Sequence, residues 1–269
     1  MAHRRVENVT ATAAEVPVFV PCDDGAMFGV LTLPPLGERS VAVVFLWGAA
    51  GIPSFGKNLI LARLARRAAS AGYHALRFDY LGSGDSSGTA SFHRLDEPLV
   101  HEVDAACRWL RDRGLRRIIL VGSCSGARIA LAATSVVDGI TALGLISPPV
   151  MDYTRDEAQQ IADAVARGTT PEWSSPKFRD RLEDVIGGGT PVLLVYGRAD
   201  RLYKEFEKAR AGRLGELLDA AGDRVRLELL EGWVHADPTV EGQDRVVDVV
   251  GSWLAGIAER VEGRSEARA

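Results

Sequence analysis

Arg117-Ile118-Ile119-Leu120-Val121-Gly122-Ser123-Cys124-Ser125-Gly126-Ala127 decides how the chain is read. An apolar, β-type run ends in Gly-x-Cys-x-Gly and passes at once into a helix-forming stretch. That is the pattern of a nucleophile elbow, a sharp strand-to-helix turn that lifts one side chain into a cleft. Glycine is expected at 122 and 126 because side chains there would collide across so tight a turn. The lifted residue is Cys124, where most such elbows carry serine. Moving the apex to Ser123 or Ser125 shifts the register and puts Ser123 or Ala127 at a glycine position. Cys124 is therefore the expected nucleophile, with the two serines and an inert buried cysteine as alternatives.

On either side of the elbow, strand-like and helix-like runs alternate. Residues 15–20 and 26–33 form two β-type runs joined by Pro21-Cys22-Asp23-Asp24-Gly25, a hairpin connection. Val41 to Leu46 is a continuous apolar run, as in a strand buried on both faces. Apolar positions at helical spacing run from Lys57 to Ala71, where Gly72 stops them. A strand at His74 to Phe78, a helix from about Asp96 to Arg113, and a helix over Ser125 to Val137 follow. A strand at Ala142 to Ile146 comes next, then a lapse in the rhythm. The pattern resumes with a strand at Pro191 to Tyr196, a helix near Leu202 to Ala221, a strand at Arg224 to Leu230 and a last helix near Val240 to Arg260.

This alternation predicts an α/β fold with a mostly parallel sheet flanked by helices. Residues 147–189 hold two helical patterns and no strand, so they are expected to form a small helical cap inserted above the sheet. The expected division is a flexible leader over 1–14, a core over 15–146 and 190–260, the cap over 147–189, and a flexible tail over 261–269.

With 269 residues, 46% of them hydrophobic, the chain can bury one large core. A net charge of −4 argues against nucleic acid or an anionic membrane as the main partner. No apolar run is long enough for a membrane span. The first residues lack the apolar core of a signal peptide, and a cytoplasmic location is the expectation. The cysteines at 22, 107 and 124 have neither disulfide-framework nor metal spacing. No cofactor or metal is expected, and Gly82-Ser83-Gly84 lacks the spacing of a dinucleotide loop.

In open parallel sheets chemistry collects at the carboxyl ends of strands. Three polar residues stand there in order. Cys124 follows the elbow strand, Asp200 follows Val192-Leu193-Leu194-Val195-Tyr196, and His235 follows Leu227-Glu228-Leu229-Leu230. His93, before a helix, is the nearest competitor to His235; His3, His74 and His101 are less well placed. Asp152 and Asp237 compete with Asp200 but lack its spacing from a strand.

The order nucleophile, acid, histidine, each just past a strand, resembles the α/β-hydrolase superfamily. The resemblance spans nearly the whole chain and rests on the elbow, on Tyr196-Gly197-Arg198-Ala199-Asp200 and on Asp79 with Gly82-Ser83-Gly84-Asp85-Ser86. Within the superfamily a cysteine elbow is similar to those of dienelactone hydrolases, some thioesterases and some acyltransferases. The resemblance implies an acyl-transfer enzyme with a Cys124–His235–Asp200 triad and an S-acyl intermediate on an ester, a lactone or a thioester. The partner would be a small acyl substrate, either free or as a thioester on a carrier. The oxyanion hole would use the N–H of Ser125 and, from the loop after Leu46, that of Ala49. Relatives often carry His-Gly in that loop, whereas this chain has Trp47-Gly48.

Trp47, Gly48, Trp233 and Met151 are the expected substrate-binding residues. The apolar residues Val150, Met151, Tyr153, Ile161, Trp173 and Phe178 either line an acyl pocket or pack the cap on the core. Arg128, Arg198 and Arg201 are expected to be surface ion-pair partners. Two other classes remain open: lyase or cyclase chemistry with His235 as general base, and a non-catalytic binding protein on the same fold.

Overall fold

The structure, a computed structural model, describes residues 13–35, 39–48, 56, 59–90, 94–95, 97–235 and 239–263. Strands β1 (Ala14–Cys22) and β2 (Gly25–Leu33) form the expected hairpin, paired antiparallel from Ala14 opposite Leu33 to Cys22 opposite Gly25. β1 is the sheet edge and largely solvent-facing, which is where the prolines at 17 and 21 are tolerated. β3 (Val41–Leu46) and β4 (His74–Phe78) are buried along their whole length. Between them lies α1 (Ile60–Ser70).

Helix α2 (His101–Arg111) begins about five residues later than its sequence pattern suggests. Pro98 accounts for the delay, since it steers the preceding residue away from helical dihedrals. β5 (Arg117–Ser123) carries the elbow, and α3 (Ser125–Ala133) leaves it directly. β6 (Ile140–Ile146) follows. The long helix expected over 202–221 is two helices, α6 (Arg201–Ala209) and α7 (Arg213–Ala221), because Arg210-Ala211-Gly212 interrupts it. Around this pair run β7 (Val192–Gly197) and β8 (Val225–Leu230), and α8 (Val240–Gly263) follows β8.

The eight strands form one sheet in the order β1-β2-β4-β3-β5-β6-β7-β8. Only the β1–β2 and β2–β4 pairs are antiparallel. From β3 the chain steps to β4 on one side, then returns past β3 to β5 on the other. The strand order therefore reverses between β3 and β5, which is where an open α/β sheet leaves a crevice at its carboxyl edge.

Each face of the sheet buries its own core. α1 and α8 cover one face over Val43, Phe45, Val121 and Ile146. Helices α2, α3, α6 and α7 cover the other over Ala42, Val44, Leu120 and Leu145.

The segment between β6 and β7 carries α4 (Arg155–Ala166) and α5 (Pro176–Gly187). Both helices start on a side-chain cap: Thr154 and Glu157 form a capping box, and the Ser175 hydroxyl accepts from the N–H of Phe178 at 3.0 Å. α5 packs into the helical layer through Phe178 and Leu182, whereas α4 makes less contact, with Ala164 buried and Ile161 partly buried against the core. Among the described residues no helix is long and apolar enough to cross a membrane.

Candidate active site

The elbow is tight enough to force its sequence. Cys124 sits at φ 55° and ψ −123°, a left-handed conformation that a non-glycine residue holds only when its surroundings dictate it. Those surroundings are visible. Its N–H donates to the Ile146 carbonyl at 2.8 Å, and its own carbonyl accepts from the N–H of Ala127 at 3.0 Å. A Cβ added at Gly122 would lie 2.2 Å from the carbonyl oxygen of Gly126, and one at Gly126 would lie 2.4 Å from that of Leu46. The turn is thus closed by backbone packed on backbone, and any side chain at 122 or 126 would pry it open.

Gly48 belongs to the same construction. A Cβ there would fall 2.6 Å from the backbone nitrogen of Ser125. Ser125 is the first residue of α3, so its N–H has no partner within the helix, and it acts on the Cys124 thiol. Gly48 keeps the space beside that N–H open. Ala49, the expected second donor, lies outside the described residues, as do His3, His93 and Asp237.

The acid and the base meet the elbow from the ends of β7 and β8. Asp200 is buried and caps α6: its Oδ1 accepts from the N–H of Leu202 at 2.9 Å. Its Oδ2 accepts from the backbone N–H of His235 at 2.6 Å and lies 2.8 Å from His235 Nδ1. The hydroxyl of Ser147, just past β6, adds a longer bond to the same oxygen at 3.5 Å. With Nδ1 engaged, Nε2 is the nitrogen left for the thiol, and His235 and Cys124 are close enough to shift each other's titration.

These contacts set the protonation states. Burial works against the Asp200 charge, but the donors from His235 and Leu202 outweigh it and hold the carboxyl below its ordinary range. The hydrogen bonds to Asp200 and then Cys124 raise His235 to about 9 against the opposing effect of burial. Burial likewise pushes the Cys124 thiol up, yet His235 and the N–H and hydroxyl of Ser125 bring it below its ordinary value. The two groups titrate as a pair. The two shifts both favour a thiolate–imidazolium pair over the neutral pair.

Iodoacetamide is accordingly expected to alkylate Cys124 faster at pH 7 than it alkylates an ordinary thiol. In His235→Ala only Ser125 still opposes burial, so alkylation should slow markedly. Rates followed by intact mass across pH 6–9 check this, and equal rates in the two proteins would remove the ion pair.

Other residues singled out from sequence fall in different places. Trp47 and Trp233 line one cavity together with His235 and Ser123. Met151 is buried in the core on the α3 face. Of the apolar residues at 147–189, Val150 and Phe178 are fully buried packing residues and Tyr153 is exposed. His101 is exposed on α2, and His74 is buried inside β4. The loop after β4 works as a clasp: the Ser86 and Ser87 hydroxyls accept from the N–H groups of Phe28 and Ala26, each at 2.8 Å.

Arg198 and Arg201 are surface partners of Glu231 and Glu205, as expected. Arg128 is not. It is buried one turn along α3 from Cys124, ion-paired with Asp152 and donating to the Pro149 carbonyl at 3.0 Å, with the ring of Phe178 5.2 Å away. Asp152 is thereby committed to Arg128 rather than to His235. Sequence reasoning also passed over Ser147 and over Gln243, which lines the same cavity as Trp47 and Trp233. The place of Ser147 at the end of a central strand was a usable signal, whereas nothing in the α8 pattern marks Gln243.

The geometry agrees with comparisons to known proteins. Among solved structures, an esterase from Pyrococcus furiosus is similar at a TM-score of 0.62 and 20% identity, covering 92% of this chain and 93% of its own. A proline iminopeptidase from Mycobacterium smegmatis matches at TM-score 0.60 and 17% identity, over 90% and 99% of the two chains. An alpha-beta serine hydrolase homologue from Coxiella burnetii matches at TM-score 0.60 and 18% identity, over 89% and 97%. At these identities the likeness speaks for the fold. A search of curated proteins found no match. The family model described as "Alpha/beta hydrolase family" matches residues 18–265, and the chain belongs to that family.

Proposed function

We propose that this enzyme of the α/β-hydrolase type transfers acyl groups through a thioester on Cys124. The observation that carries the reading is the chain of contacts from Asp200 through His235 to a thiol held at φ 55° on the elbow. In the first half-reaction Sγ bonds to the carbonyl carbon of an ester, lactone or thioester, and the carbonyl electron pair moves to oxygen. The N–H of Ser125 faces that oxyanion; one such donor is typically worth about 10²–10³ in rate. The tetrahedral intermediate collapses by breaking the bond to the leaving group, which takes its proton from His235 Nε2. In the second half His235 takes a proton from water, the new hydroxide oxygen bonds the acyl carbon, and the C–S bond breaks to restore the thiolate. Asp200 holds the imidazole tautomer throughout and stabilises its charge.

A thioester intermediate reacts more readily with thiols and amines than an oxygen ester does. Cysteine at the apex therefore favours an acceptor other than water, or a thioester donor, over plain ester hydrolysis. The test is direct. Incubated with p-nitrophenyl acetate and quenched in acid, the protein should gain the mass of one acetyl group, located on Cys124. Cys124→Ala should gain none and lose turnover. Undiminished turnover in Cys124→Ala would sink the covalent reading and favour His235 acting as a general base alone.

A further inference from the structure

We infer that the acyl group is short, and that it is received on the α1/α8 face of the sheet in a small cavity walled by Trp47 and Trp233. The inference rests on the acyl-enzyme reading above. Alternation along β5 supplies the first step: Ile118 and Leu120 belong to the α3-face core, and Ile119 and Val121 to the α1/α8-face core. Ser123 continues the second set, and it lines a cavity that His235 also lines. His235, paired with Asp200, is thus also a wall of this cavity, and Ser123 precedes Cys124 in the chain, so the cavity adjoins the elbow without including Cys124 itself.

The walls are mainly hydrocarbon: Trp47, Ile60, Leu64, Ile146, Trp233 and Val246. The space is about 20 Å³, enough for one or two water-sized groups given that a single water needs roughly 10–15 Å³. Such a volume suits the methyl or ethyl end of an acetyl or propionyl group and is too small for a long chain. The opposite face offers less. There the apolar residues nearest α3, including Val150 and Phe178, are fully buried against the core and against Arg128. Leu64 and Val246 are fully buried on two helices in contact, so a longer chain would have to displace core side chains.

The test compares p-nitrophenyl acetate, butyrate and octanoate on the full chain. The wild type should show kcat/KM at least tenfold higher for acetate than for octanoate. Val246→Ala should raise butyrate relative to acetate about fivefold, and Val246→Leu should lower it by a similar factor, so one position gives shifts of opposite sign. Ile161→Ala, on α4, should leave the ranking unchanged. A flat wild-type profile, a ranking indifferent to both changes at 246, or a shift caused only by Ile161→Ala would overturn the cavity assignment while leaving the acetyl adduct on Cys124 in place. Absence of that adduct would instead overturn the acyl-enzyme reading and the cavity with it.

Discussion

Asp200→Asn should lower kcat/KM on an activated ester by roughly 10⁴-fold while leaving the protein folded. The size follows from the donors around the carboxylate. Oδ2 accepts from the backbone N–H of His235 and faces Nδ1, and Oδ1 accepts from the N–H of Leu202. An asparagine has one oxygen for these two sides. If its oxygen takes the Oδ2 position, its amide faces the Leu202 N–H and the cap of α6 is lost, at about 1 kcal/mol. If the amide takes the His235 side instead, the imidazole must place its proton on Nε2 to accept at Nδ1. That tautomer turns a donor toward Cys124 and cannot remove a proton there. Either way the imidazolium loses its counter-charge and burial pushes the thiol up. Steady-state rates with p-nitrophenyl acetate, read beside a thermal melt, check the prediction. A loss under tenfold with the melt unchanged would mean that Asp200 is only a helix cap.

Arg128→Met should cost about 3–5 kcal/mol of stability, the range for breaking a buried ion pair by removing one partner. Arg128 is enclosed and satisfies the Asp152 carboxylate together with the carbonyls of Pro149 and Met151. Methionine fills much of the volume but leaves the carboxylate and two carbonyls without their donor in the interior. At roughly 2–4 °C per kcal/mol for a chain of this size, the melting temperature should fall by about 10 °C. Adding Asp152→Leu should recover part of the loss, because the isolated charge goes while the carbonyls stay unpaired. Urea denaturation of the two variants measures both steps. A drop below 1 kcal/mol in the single variant would show that solvent reaches the pair.

Residues with strong local signatures were legible from sequence. The glycines at 122 and 126 announced the turn, and the uniformly apolar runs at 41–46 and 192–196 announced strands covered on both faces. Asp200 and His235 could be placed because each follows such a strand closely. Arg128 misled because an arginine within an apolar helix reads as a solvent-facing residue, and its partner Asp152 is 24 positions away. Interactions set only by the folded chain leave no periodicity behind. The split of α6 from α7 was missed for the opposite reason: the helical spacing continues across Arg210-Ala211-Gly212 although the backbone does not. Ser147 combines both difficulties, being a single hydroxyl at φ 44° that serves a carboxylate 53 positions further on.

The strand order has a consequence for a chain made from its N-terminus. Gly48, Cys124, Ser147, Asp200 and His235 arrive in that sequence, and the base is the last of them to leave the ribosome. While β8 is still in the exit tunnel, the strands on either side of the elbow can already pair, and the thiol is present without its histidine. On the proposed mechanism the thiol lacks its base until the segment beyond β8 brings His235 to Asp200.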